Sequence, residues 1–303
     1  MTHIFIVNPY AGEKTFADDL RRKLKEIKNL KYFVFNTKRA GDEEALVRRI
    51  LHIFQDEELR FYCCGGSGTM RNMLNGFDDL EKAEIAFFPC GLTNDFLKVF
   101  GENEARFHQI EELIEGDVIQ VDYIRTNHGV ALNQFSTGLD SSHAIKFEEY
   151  RSLAALGERV PYVMSIAYAL IFSKPLEYEV YLDDKKVVGP FSEIIFGNGH
   201  VMGGSLFLFE NSCVVEGEAS WLFVPKQNVF RLFKLLRAFF KMDYALVRTM
   251  TKSGSCKKMR LARKDGKPLA VNMDGELVSE SLEWTAEIVQ QGLHLVVPKG
   301  VRL

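Results

Sequence analysis

Leu59-Arg60-Phe61-Tyr62-Cys63-Cys64-Gly65-Gly66-Ser67-Gly68-Thr69-Met70 decides how the first third of this chain is read. The apolar run up to Cys64 has the length of a short buried strand, and Met70–Leu74 reads as the start of a helix. The loop between them carries three glycines and a threonine, so backbone N–H groups can come close to phosphate oxygens with no Cβ in the way. A strand, a glycine loop and a helix start in that order place the loop at a helix N-terminus, where anions bind. Taken alone, the same composition also suits a plain turn, so the neighbouring segments carry the decision.

Two of them repeat the pattern. His3–Val7 is a compact apolar strand followed by Asn8-Pro9-Tyr10-Ala11-Gly12, and Ile85–Phe88 is another, followed by Pro89-Cys90-Gly91-Leu92-Thr93-Asn94-Asp95-Phe96. In a parallel sheet the loops after successive strands gather at the carboxyl edge, where ligands bind. Between these strands, Phe16–Lys28 and Asp42–Phe54 have helical spacing, the second through Leu46, Val47, Ile50, Leu51 and Phe54, and Tyr32–Asn36 is strand-like. The alternation predicts a doubly wound, mostly parallel α/β domain over residues 1–122.

After Val118 the grammar changes. Ile119–Thr126, Gly129–Thr137, Leu176–Leu182, Lys186–Val188, Glu193–Phe196, Ala219–Val224, Lys258–Ala262 and Leu269–Met273 read as strands, with Asp183-Asp184 and Asp265-Gly266 as hairpin turns. This predicts a second, antiparallel all-β domain over 123–284. Two helical stretches interrupt it, Ser142–Phe172, with a break around Gly157–Pro161, and Asn228–Lys241. The latter mixes Phe230, Phe233, Leu236, Phe239 and Phe240 with Arg231, Lys234, Arg237 and Lys241. It reads either as a core-packed helix with a solvated basic face or as an interfacial helix that meets anionic headgroups.

Composition narrows the function classes. Hydrophobic residues make up 47% and charged residues 26% of 303, with a formal net charge of −3, so nothing overall points to nucleic acid. Five cysteines without metal-ligand spacing read as reduced structural thiols, which predicts a cytoplasmic protein. Met1–Phe5 does not read as a signal peptide, and no apolar run reaches the ~18 residues of a spanning helix. A lipid substrate would have to be reached from the water side, with peripheral contact at the inner membrane surface.

Asn8–Gly12, Gly65–Gly76, Pro89–Phe96, Gly203–Gly217 and Asp274-Gly275-Glu276 together resemble, in order and spacing, the motifs of the diacylglycerol kinase catalytic-domain family: NPxSG, GGDGTxxExxNG, PxGTxNDF, GGG…P…DG and DGE. This is a family of bacterial-type lipid kinases related to sphingosine kinases and, more distantly, to NAD kinases. The resemblance implies that the second domain is a β-sandwich for the lipid substrate and that 285–303 returns to complete the first. It implies ATP as phosphoryl donor, Mg²⁺, and transfer of the γ-phosphoryl group to a lipid hydroxyl such as that of diacylglycerol. It assigns the nucleotide to Asn8, Pro9, Gly12, Thr37, Gly65, Gly66, Ser67, Gly68, Thr69, Thr93, Asn94 and Asp95. Glu276 becomes the general base, and Glu216, with Glu218 or Cys213, a metal site. An Asp at the start of a helix is also an N-cap, so Asn94 and Asp95 are expected to cap Phe96–Phe100.

The departures fall on chemistry. The carboxylate of GGDGT is Ser67 here, the following Glu is Asn72, the first Thr of GTxND is Leu92, the third Gly of the triplet is Ser205, its Pro is Glu210, and the Asp of DG is Glu216. Serine is uncharged and a poor base at neutral pH. Two alternatives therefore stay open: a pseudokinase that binds nucleotide or lipid without turnover, and a kinase for another alcohol.

Overall fold

Ile4, Phe5, Ile6, Phe61, Tyr62, Cys63, Ile85 and Ala86 are wholly or almost wholly inaccessible to solvent. Near-continuous burial of this kind belongs to parallel strands covered on both faces. In the computed structural model, which describes residues 1–12, 16–39, 41–91, 94–157, 160–210 and 212–303, these runs are β1 (Thr2–Val7), β3 (Leu59–Gly65) and β4 (Glu84–Pro89), with β2 (Tyr32–Asn36) beside β1. The order is β2-β1-β3-β4, all parallel, and the C-terminal segment His294–Val296 adds a further parallel strand against β4. Three helices connect them, α1 (Phe16–Glu26), α2 (Asp42–Ile53) and α3 (Ser67–Leu74). Leu20 and Leu24 on α1 and Val47 and Ile50 on α2 turn inward at one helical period. A short α4 (Ile110–Ile114) follows, and Arg60 Nη1 donates to Leu113 O and Ile114 O at 3.2 and 3.0 Å. A buried cation thus sits on the negative end of that helix.

From there the pairing is antiparallel. The strands are β5 (Asp117–Thr126), β6 (Gly129–Ala131), β7 (Gln134–Gly138), β8 (Leu176–Leu182), β9 (Lys185–Gly197), β10 (Val201–Met202), β11 (Leu206–Phe207), β12 (Ala219–Pro225), β13 (Lys252–Cys256), β14 (Lys258–Arg263), β15 (Leu269–Met273), β16 (Glu276–Ser281) and β17 (Glu283–Val297). The helices among them are α5 (Leu139–Tyr150), α6 (Val160–Phe172), α7 (Val229–Phe240) and α8 (Tyr244–Met250). β9 is central, pairing with β7, β8 and β12. Trp284, Phe135, Phe196, Phe223 and Tyr178 fill the core of this part. The fold class is the expected one, α/β followed by antiparallel β.

The chain separates into two compact units. Unit 1 comprises Met1–Tyr123, Cys213–Glu216 and Val289–Leu303, and unit 2 comprises Ile124–Ser212 and Gly217–Ile288. Two boundaries differ from the sequence reading. Cys213–Glu216, assigned there to the second domain, lies in unit 1 because Asp122 N–H donates to Val214 O at 2.6 Å. Unit 1 regains the chain at Val289 rather than at Thr285, since Glu283–Glu287 are still paired with β14.

Single elements also differ. Gly129–Thr137 is two strands, interrupted where Leu132–Gln134 turn toward Asp274. The two short segments predicted within 186–196 are one strand, β9, that runs through Gly189-Pro190. A 3₁₀ segment, Asp95–His108, leads into α4.

Candidate nucleotide site

Unit 1 brings three loops together at the carboxyl ends of β1, β3 and β4. Asn8 N–H donates to Cys64 O at 3.0 Å and Cys90 N–H to Gly65 O at 2.9 Å, so each loop leaves its strand still bonded to a neighbour. Asn8 then reaches across, its Nδ2 donating to Thr69 Oγ1 at 3.1 Å. Its Oδ1 accepts from Tyr10 N–H at 3.0 Å, and Ala11 N–H donates to Asn8 O, which closes the turn through Pro9. Thr37, at the end of β2, is buried and donates its N–H to Val7 O at 2.9 Å.

The glycines have a more specific reason than freedom to approach a phosphate. A Cβ on Gly12, where φ is +73°, would lie 2.5 Å from Cys90 O. One on Gly91 would lie 2.5 Å from Gly66 Cα, and one on Gly65 the same distance from the Thr69 side chain. At Gly12 and Gly91 the loops pack against backbone, and only hydrogen fits.

α3 starts inside this cluster. Gly66 is its N-cap in extended conformation, no side chain caps it, and its first turn, from Ser67 through Gly68 and Thr69, has no acidic residue. The positive end of the helix therefore meets no protein carboxylate of its own first turn. Beside it, Asn94 Nδ2 donates to Gly91 O at 3.2 Å, while Asn94 Oδ1 is buried without a hydrogen-bond partner among the described residues. Asn94 precedes the Asp95–His108 segment but does not cap it through its side chain, contrary to the expectation from sequence. Asp95 is buried. Thr93, also assigned to the nucleotide, lies outside the described residues. Burial pushes the Cys90 thiol up to about 12 and the Cys63 and Cys64 thiols well above their ordinary value. The thiols here are neutral and bring no charge to the site.

Glu276 lies in unit 2. It follows a two-residue turn in which Asp274 and Gly275 both have positive φ, 52° and 89°, the Asp-Gly hairpin pattern. Asp274 accepts at Oδ2 from Leu132 N–H at 2.6 Å, and at Oδ1 from Asn133 N–H and Gln134 N–H, each at 2.9 Å. It clamps the β6–β7 connection. Glu276 is half-buried at the start of β16, opposite Met273.

Of the expected metal ligands, Cys213 and Glu216 belong to unit 1 and Glu218 to unit 2, where its carboxylate accepts from Ser255 Oγ at 2.6 Å. Among the described residues no group of three His, Cys, Asp or Glu side chains is disposed to hold a metal ion.

Sequence reasoning missed one buried acidic pair in unit 2. Asp140 N–H donates to Glu193 Oε2 at 2.9 Å, and Ser136 Oγ donates to Asp140 Oδ2 at 2.5 Å. Burial raises the Asp140 carboxyl, and burial followed by the Asp140 charge pushes Glu193 well above the usual carboxylate range. Gly138, at φ +121°, lets this turn form, since a Cβ there would lie 2.3 Å from Ser192 O. The adjacent Thr-Gly-Leu-Asp read as an ordinary strand end, and nothing local announced a partner in β9.

The family model of the diacylglycerol kinase catalytic domain matches residues 2–126, the span that holds all three loops. The match makes this part of the chain similar to that catalytic domain. The family's chemistry is that of a kinase-type phosphotransferase. A Staphylococcus aureus (strain bovine RF122 / ET3-1) protein named "Putative lipid kinase SAB0675c" is 27% identical over 248 residues, covering 80% of this chain and 75% of that protein. The lipid-kinase homologue SAS0691 of strain MSSA476 is 26% identical over the same shares. Among solved structures, one titled as a "putative diacylglycerol kinase" from Bacillus anthracis str. Sterne superposes with a TM-score of 0.74 at 20% identity, covering 99% of this chain and 96% of that one. A second diacylglycerol kinase structure from the same organism gives 0.67 at 17% identity, covering 99% and 98%. At such identities the structures speak for the fold alone. No helix among the described residues is long and apolar enough to cross a membrane.

Proposed function

We propose that this chain is an ATP-dependent lipid kinase that transfers the γ-phosphoryl group to a lipid hydroxyl such as that of diacylglycerol. The observation that carries the reading is the start of α3, uncapped by any side chain and free of acid in its first turn, set among three interlocked loops. The phosphates would lie along Gly65–Thr69, where the helix end and backbone donors offset their charge. The buried Asn94 Oδ1, an acceptor without a donor, fits an –NH or –OH group of the nucleotide. Asn8 and Thr69 hold the loop in place, so that the donor is positioned before transfer. Phosphoryl transfer depends mainly on positioning and on charge stabilisation. ATP supplies the transferable group. Glu276 would accept the proton of the lipid hydroxyl as the phosphoryl group arrives. Mg²⁺, where bound, would offset phosphate charge.

Ser67, a neutral hydroxyl where the resembling family has a carboxylate, favours a second reading, a protein that binds nucleotide or lipid without turnover. One experiment separates the two. ATP affinity is measured by calorimetry, and phosphoryl transfer is measured on a panel of lipid hydroxyls in mixed micelles, with Mg²⁺ and with Mn²⁺. The same is done for Ser67→Asp. Transfer to a lipid hydroxyl supports the kinase. ATP binding without transfer in either protein supports the binding-only reading, and no ATP binding refutes both.

A further inference from the structure

We infer that α7 is an interfacial helix that seats unit 2 on the surface of an anionic lipid bilayer. The inference deepens the lipid-kinase reading, because a lipid substrate resides in such a surface, but its observations are independent of the nucleotide site.

Leu232, Leu235, Ala238 and Phe239 form the inward face of α7 and pack with Ile195, Leu222 and Val247. That face accounts for the helix as a core element. The opposite side is not that of an ordinary solvated helix. Phe230 is 81% exposed, and Phe233, Phe240 and the following Met242 are each about half exposed. At ~100° per residue, Val229, Phe233, Leu236 and Phe240 fall on one flank, while Arg237, Lys241, Lys234 and Arg231 spread over the next. Phe230 lies among the cations. An apolar flank beside a basic one is the pattern of a helix lying in the headgroup plane.

The cations of this helix stand together without acids among them. Several helix-surface cations elsewhere are matched within a turn, Arg21 with Asp18, Arg22 with Asp19, Arg48 with Glu44 and Lys146 with Glu149. On α7, Arg231, Lys234, Arg237 and Lys241 are exposed, and none has an ion-pair partner among the described residues. The helix has no acidic residue of its own, in a chain whose formal net charge is −3. Four unmatched cations interleaved with exposed phenylalanines complement a surface that is negative outside and apolar beneath. α6 touches α7, has no charged residue, and ends in exposed Ile171 and Phe172. Its apolar end extends the same kind of surface.

The test is co-sedimentation of the full chain with phosphatidylcholine vesicles, with and without phosphatidylglycerol, at low and high salt. The wild type should bind the anionic vesicles and release at high salt. A cation near an anionic surface contributes about 5-fold, so Lys234→Gln with Arg237→Gln should weaken binding roughly 30-fold. Phe230→Ser with Phe233→Ser should weaken it at both salt concentrations. All four side chains are exposed, so the variants are expected to fold, and far-UV circular dichroism checks this. Equal binding to neutral vesicles, no vesicle binding at all, or variants that bind like the wild type would overturn the inference. So would preferential retention on duplex DNA, because the basic face would then serve a nucleic acid. A water-soluble short-chain diacylglycerol separates this from the kinase reading: the α7 variants should phosphorylate it like the wild type. If the wild type phosphorylates no lipid in any form yet binds anionic vesicles through α7, the kinase reading fails and the inference about α7 stands.

Discussion

Replacing Asp274 by alanine removes one carboxylate and leaves three buried N–H groups, of Leu132, Asn133 and Gln134, without their acceptor. Leu132, Asn133 and Gln134 are each at most 3% exposed, so water cannot take over without opening the core. Each orphaned buried donor costs about 1–3 kcal/mol, and part of the charge-assisted bonding is lost as well, so Asp274→Ala should lower the stability of unit 2 by about 3–6 kcal/mol. That is a large fraction of the ~5–15 kcal/mol available to a domain. Asp274→Asn is the informative control. Its single carbonyl oxygen can stay where Oδ1 stands, 2.9 Å from both the Asn133 and Gln134 N–H groups, and only the Leu132 bond is lost. It should cost about 1–3 kcal/mol. The assay is urea unfolding followed by tryptophan fluorescence, which reports unit 2 because both tryptophans, Trp221 and Trp284, lie within it. ATP affinity of the folded fraction should not change. A loss below ~1 kcal/mol for alanine, or equal losses for alanine and asparagine, would refute the clamp.

Three further outcomes are expected. Gly91→Ala puts a Cβ 2.5 Å from Gly66 Cα, a backbone atom that cannot move aside, so the loops should separate and ATP affinity should fall at least ~10-fold in calorimetry; unchanged affinity would show that the loop packing does not shape the site. Glu193→Gln should flatten the pH dependence of unit 2 stability. The raised Glu193 carboxyl in the folded state makes the wild type fully stabilised below the ordinary value of 4.5, and stability falls as pH rises from there toward the higher folded pKa. The slope should approach ~1.4 kcal/mol per pH unit in that window, as read by urea unfolding at successive pH values; identical profiles for the two proteins would contradict the buried ionisation. Glu276→Gln should lower turnover on a lipid hydroxyl about 10²–10⁴-fold with ATP affinity intact, and full activity would assign the base elsewhere.

The parallel strands of unit 1 and their glycine loops were legible because both signals are local. A strand buried on two faces must be apolar throughout, and a loop that leaves it at a backbone-to-backbone contact must be glycine. Leu176–Leu182 and Leu269–Met273 were legible to the residue for a similar reason, through β-rich composition and flanking turns. Lys252–Cys256 was not. Its first four residues are exposed and polar, and it becomes a strand only because β12 offers an edge, with Gly254 lying against Trp221.

The sequence by itself determined the order α/β then antiparallel β and the three loops that end β1, β3 and β4. Each is written in contiguous residues, as a run, a turn or a motif. The tertiary structure alone decided what the polar side chains in those motifs touch. Asp274 reads as half of a catalytic signature, yet it takes three N–H groups from a segment about 140 residues earlier. Asp140 and Glu193 read as unrelated acids 53 residues apart, yet they share one buried turn. Cys213, Glu216 and Glu218 read as a ligand set, yet they divide between two units. A carboxylate's partner is chosen by which backbone donors the folded chain brings within about 3 Å, and that distance is not a property of spacing along the sequence.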